Sequence, residues 1–258
     1  MTTAVHAEWL KLRTAPGTGW LLAALIAVTA ALSAMADATA RCPAGGCQID
    51  PVKTSLTGIY LGQAVVAVLA VTAISNEYGT GMIRVTFTAM PGRTVVLAAK
   101  AVVIAGLVLT AGAVAVLGSV LAGRLILPGH GFTAGRGYLL LSPAAGPALR
   151  ASIGSVLYLA LIALLSLGVA AAMRDTAAAI GSVLGLLYVA PIIAAVLGSS
   201  GASRQLQQIA PMTAGLAIQA TTGLRSLPVS PWAGLGVLTA WAAAALLAGS
   251  LLLHLRDA

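Results

Sequence analysis

Four stretches of this chain, Thr14–Ala36, Thr54–Asn76, Ala101–Gly123 and Ala151–Met173, are each 23 residues long, contain no Asp, Glu, Lys or Arg, and end against a charged residue on both sides. A helix rises 1.5 Å per residue, so such a stretch spans the ~30 Å hydrocarbon core of a bilayer. Two longer charge-free stretches follow, Thr176–Ser203 and Ser226–His254. A backbone in hydrocarbon must satisfy its own hydrogen bonds, and runs of this length do so as helices rather than as barrel strands. Charged residues make up 8% of the 258 positions, against roughly a quarter in soluble domains, too few to cover a water-soluble globule. The expected fold is all-α: a polytopic membrane protein, one transmembrane domain over residues 1–258 built as a six-transmembrane-helix bundle.

Residues 1–16 precede the first span. Lys11 and Arg13 ahead of an apolar run also fit the opening of a cleaved signal peptide. The segment carries its own pattern, however, with Val5, Trp9, Leu12 and Pro16 at helical spacing and His6, Glu8, Lys11 and Arg13 pointing elsewhere. An amphipathic helix lying in the headgroup layer is expected, with a simple topogenic tail as the alternative. Placing the N-terminus in the cytoplasm puts the C-terminus there too. Seven Lys and Arg then fall on each side, so the positive-inside rule leaves only Lys11 and Arg13 to favour that orientation.

That orientation would place Cys42 and Cys47, which flank Pro-Ala-Gly-Gly, in an oxidising compartment. A disulfide between them and a pair of free thiols are both open. Two sulfurs with no nearby His make only half of a tetrahedral zinc site, so no metal is expected.

Several chemistries are disfavoured. Asp37, Glu77 and Asp175 fall at the ends of the expected spans, which leaves no carboxylate at mid-membrane for an ion-driven transporter. There is no HExxH, no general base beside a serine within the spans, and no Lys in a phosphate-binding P-loop. No catalytic residue and no bound cofactor are expected, and energy for any work must come from a partner. Gly58/Gly62 and Gly181/Gly185 are GxxxG pairs that permit close helix approach, within one bundle or between two chains.

The stretch Ser75–Lys100 looks like neither of its neighbours. Ile83, Val85 and Phe87 alternate with Arg84, Thr86 and Thr88 as in a strand, while Met82, Ile83, Thr86, Phe87 and Met90 also form a helical stripe. A lone strand here would have no sheet to pair with, so an interfacial helix ended by Pro91 and Gly92 is expected, with Arg93 and Lys100 at headgroup level as the third span begins. A solvated loop is the bland alternative. The sequence "NEYGTGMIR", followed by "MPGR" and "AAK", resembles the first cytoplasmic loop of the bacterial ATP-binding-cassette type-2 (ABC-2) permeases. The matching positions are Glu77, Tyr78, Gly81, Ile83, Arg84, Pro91 and Arg93; Met82 stands where that family often has Thr. The opening "EWLKLRT", the stretch "MRDTAAAIG" and the C-terminal helix with its Arg-Asp ending are similar to that family as well.

The resemblance implies a multi-pass permease subunit in the bacterial cytoplasmic membrane, with both termini cytoplasmic. Two such chains, identical or not, would each dock a separate ATP-binding subunit that holds ATP and Mg, and would export a substrate by alternating access. Residues 76–95 would then be the cytoplasmic coupling loop, and the seven matching residues its contact with the ATPase. The polar segment 204–226, rich in Gln and Thr, resembles the re-entrant segment such permeases carry before their last helix. An ordinary external loop is its alternative. A membrane interaction or immunity protein on the same scaffold is the competing reading, and no nucleic-acid partner is expected. The net charge of +8 is read as headgroup anchoring.

Overall fold

The structure is a computed structural model, and it describes residues 2–42, 49–79, 92–132, 146–198 and 200–255. Those residues are largely helical, with no strand among them. The elements are α1 (Thr2–Thr14), α2 (Pro16–Thr39), α3 (Pro51–Ser55), α4 (Ile59–Gly79), α5 (Arg93–Ile126), α6 (Gly146–Met173), α7 (Thr176–Val196), α8 (Gly201–Ile209), α9 (Pro211–Leu216) and α10 (Pro231–Leu255). Six of them, α2, α4, α5, α6, α7 and α10, are long and apolar enough to cross a membrane. The described residues thus form an all-α polytopic bundle.

Proline punctuates the chain. A residue before Pro is pushed out of the helical region, and Pro itself suits the first turn of a helix because it has no N–H to leave unpaired. Ala15, Asp50 and Ala210 are accordingly extended, with ψ of 113°, 109° and 133°, and the prolines after them open α2, α3 and α9. The α6–α7 turn is made by two residues: Arg174 takes a positive φ of 60°, and the Asp175 carboxylate caps α7 by accepting the Ala178 N–H at 2.7 Å. So tight a turn brings α7 back antiparallel to α6.

Helix α6 is the most enclosed of the six, packed against α4, α5, α7 and α10. It buries Tyr158, Leu159, Ile162, Leu165 and Leu167. Its crossing with α10 is backbone on backbone, since a Cβ on Gly168 would stand 2.4 Å from the Ala245 carbonyl carbon. The α2–α4 crossing is just as close: a Cβ on Gly58 would lie 1.9 Å from the Thr29 carbonyl oxygen, and one on Gly62 would lie 2.4 Å from Thr29 Oγ1. The first GxxxG therefore serves the bundle itself. Gly181 and Gly185 have open space where their Cβ atoms would be, and face away from the rest of the described chain.

Charge positions locate the helices but not their ends. α5 starts at Arg93 and runs 34 residues, about 50 Å, so Lys100 lies two turns inside it rather than at its start. The stretch expected as one span over 176–203 divides into α7 and α8, and the last helix begins at Pro231 rather than Ser226. In α1 the inward face is Ala4, Glu8 and Leu12, while Trp9 is exposed. The sequence pattern had turned Glu8 outward, whereas the helix is rotated to bring its carboxylate inside.

Residues 201–226 contain α8, α9 and two single 3₁₀ turns, Ala217–Gln219 and Leu224–Ser226. From Ala210 to Ala220 the segment is largely buried, packed on α6 and α10. Its polar side chains are anchored. Gln219 donates to Ser155 Oγ at 3.2 Å, Gln208 to the Pro228 carbonyl at 2.9 Å, and Thr213 to the Gln207 carbonyl at 2.9 Å.

Candidate functional site

In sequence, residues 80–91 fall between helices α4 and α5, and one buried cation joins those two helices. The Lys100 ammonium donates to Glu8 Oε2 at 2.6 Å and to the Ala73 carbonyl at 3.1 Å. Glu8 Oε1 also receives Lys11 Nζ at 2.8 Å. One side chain of α5 thus ties α1 to the last turns of α4. Both Glu8 and Lys100 are 2% exposed, and a charge so buried is tolerated only when paired and hydrogen-bonded. Burial pushes the Glu8 carboxyl up, but the Lys100 ammonium, the bonds from Lys100 and Lys11, and the Lys11 charge outweigh it and hold the group below the usual carboxylate range.

This pair buries two ionisable groups among the described residues, and it puts Lys100 two turns inside α5, where the sequence reading had placed it at the start of the third span. The signal that could have found it is the i, i+4, i+8 placement of Ala4, Glu8 and Leu12 on one helical face.

The residues singled out in the insert are only partly placed. Glu77 and Tyr78 lie in the last turn of α4 and Arg93 opens α5. Gly81, Ile83, Arg84 and Pro91 lie outside the described residues. Cys42 is buried, disulfide-bonded, and donates its N–H to the His130 carbonyl at 3.1 Å; Cys47 lies outside the described residues.

A second ionisable group is buried at the opposite end of α2. Asp37 is fully enclosed, accepts the Ser55 hydroxyl at 3.0 Å, and has no partner for Oδ2 among the described residues. It closes a polar stripe with Thr29 and Ser33, whose hydroxyl accepts the Gly58 N–H at 3.0 Å. Sequence reading had put Asp37 at a span boundary, and the packing of α3 covers it.

Polar groups also thread the bundle interior. The Tyr158 hydroxyl donates to Gln63 Oε1, and the Tyr188 hydroxyl to the Tyr60 carbonyl. Gln63 Nε2 donates to the Tyr60 carbonyl at 3.1 Å and meets Met212 Sδ at 3.2 Å. These contacts bind α4, α6, α7 and α9 into one unit.

At the end of the bundle away from the insert, Asp50 receives five hydrogen bonds. Oδ1 accepts Val52 N–H, Lys53 N–H and the Thr221 hydroxyl at 3.1, 3.2 and 2.7 Å, and Oδ2 accepts the Thr221 and Thr222 N–H groups at 2.5 and 3.0 Å. Arg150 Nη2 donates to the neighbouring Ala220 carbonyl at 2.5 Å. The segment before α10 is therefore pinned to α3 and α6.

No family model and no curated protein matches the chain.

Proposed function

We propose that this chain is the membrane-spanning permease subunit of an ATP-driven exporter, working as a pair of permease chains with a separate ATP-binding subunit docked on residues 76–95. The observation that supports the reading most is the clip at the base of the insert. Lys100 joins α5 to α1 and to the Ala73 carbonyl of α4, so force applied between α4 and α5 is shared by three helices. The insert's Glu77, Tyr78, Gly81, Ile83, Arg84, Pro91 and Arg93, which resemble the ABC-2 coupling loop, would meet the ATPase. Gly81 would permit the turn there. Both termini and the insert would face the cytoplasm.

The test is co-expression with a candidate ATP-binding subunit, purification in mild detergent and reconstitution. The reading expects a stable complex, and it expects charge reversal at Glu77 and Arg84 together to lower substrate-dependent ATP turnover at least tenfold. Failure of any such subunit to co-purify, or unchanged turnover in the double reversal, overturns it.

A further inference from the structure

The end of the bundle away from the insert holds a cavity of about 310 Å³, a size at the small end of ligand pockets, which run from about 300 to 1,000 Å³. Its walls include Tyr60 on α4, Pro191 on α7, Gln207 on α8, Met212 and Leu216 on α9, and Val229 in the run-in to α10. Lys53 on α3 lines it as well and is exposed, so its ammonium stands at the mouth.

Two polar groups of this lining are unspent. Among the described residues the Lys53 ammonium makes no hydrogen bond or ion pair, and the Tyr60 hydroxyl makes none either. Asp50, three residues earlier, takes five hydrogen bonds from backbone N–H groups and the Thr221 hydroxyl, one of them from the Lys53 N–H, and makes no ion pair with the Lys53 ammonium among the described residues. The rest of the lining is mainly apolar. A free cation at the mouth, a phenol hydroxyl on the wall and an apolar body describe a complement: a molecule with one acidic group and a hydrocarbon portion.

We propose that this cavity binds an anionic amphiphile, with its carboxylate or phosphate on Lys53 and its apolar portion against Pro191, Met212 and Leu216. The site does not depend on the exporter reading, and its failure would leave that reading standing. The acidic head can belong to a free fatty acid or to an anionic phospholipid of the surrounding bilayer, since both offer the same chemistry to Lys53.

The test uses the full-length protein in phosphatidylcholine nanodiscs and a photoactivatable fatty acid, with labelled peptides mapped by mass spectrometry. Labelling is expected at residues 53–60 and 207–229, reduced roughly tenfold or more in Lys53→Met and retained in Lys53→Arg, since a hydrogen bond to a charged group is lost in the first and kept in the second. Lys53 is exposed, and an unchanged melting temperature of Lys53→Met checks that the variant is folded. A Tyr60→Phe variant that weakens labelling without affecting melting gives a second readout should Lys53→Met fail that check. Nanodiscs containing phosphatidylglycerol separate the two sources. Suppressed labelling there identifies a bilayer lipid as occupant, and undiminished labelling identifies a free amphiphile; either supports the site. Equal labelling of wild type and a folded Lys53→Met, equal labelling by the corresponding fatty alcohol, or labelling confined to peptides outside residues 53–60 and 207–229 overturns it.

Discussion

Lys100 and Glu8, 92 positions apart, meet at 2.6 Å in a site almost closed to solvent. The pair is a buried ion pair that joins the first helix to α5. Lys100 is also the only lysine of the three in the chain that is buried.

Removing one partner should cost more than removing both. Lys100→Met alone leaves the buried Glu8 carboxylate with the half-buried Lys11 as its remaining cation, so the loss should approach, from below, the about 3–5 kcal/mol that breaking a buried pair costs. The double variant Glu8→Gln/Lys100→Met should recover much of that loss. Thermal unfolding in detergent, followed by tryptophan fluorescence with Trp9 on α1 as a local reporter, checks the ordering of the three melting temperatures.

Acidification should release the same link. The Glu8 carboxyl is lower in the folded protein than its ordinary value, so its contribution to stability is fully present above the ordinary carboxylate range. It is lost as pH falls through the lowered folded value. Melting temperatures between pH 7 and pH 3 should therefore decline more steeply for the wild type than for Glu8→Gln. Parallel curves would remove Glu8 as the group responsible.

The two GxxxG pairs should respond oppositely to substitution. Gly58→Ala puts a methyl group 1.9 Å from the Thr29 carbonyl oxygen, and overpacking of this kind costs about 1–3 kcal/mol. Gly181→Ala meets open space inside α7 and removes a poor helix former, so it should stabilise by about 0.5–1 kcal/mol. Unfolding midpoints measured in one detergent compare them directly.

Asp50→Ala should loosen the segment before α10. An N-cap is worth about 1 kcal/mol, and each hydrogen bond to a charged group about 1.5–3 kcal/mol. Losing the contacts to Thr221 and Thr222 should speed amide exchange over residues 220–228 by at least tenfold, with α6 unaffected. Hydrogen–deuterium exchange with peptide-level readout measures this.

Helix number was legible in the chain because hydrocarbon imposes a length, and charges at both ends of a 23-residue run report it. Helix ends were not, because a long amphipathic cation such as Lys100 can lie two turns inside a helix when a carboxylate waits for it. Gly58 and Gly62 were readable as a close approach, but their partner Thr29 was not, since nothing local distinguishes a helix face turned inward from one turned to lipid. For the same reason Gly181 and Gly185, with the same spacing, point outward. The breaks at Ala15, Asp50 and Ala210 follow from the prolines after them. The closure of the far-end cavity by residues 211–229 depends on packing between distant segments, which periodicity does not carry.

The order in which a ribosome delivers this chain gives the Glu8 carboxylate a history. When α1 and α2 leave the exit tunnel, Lys100 has yet to be made, and Lys11 alone accompanies Glu8 at the water's edge. The first helix can take its final seat only after the third long helix has been inserted, so a nascent chain arrested short of Lys100 would leave α1 open to protease while a chain arrested beyond it would not.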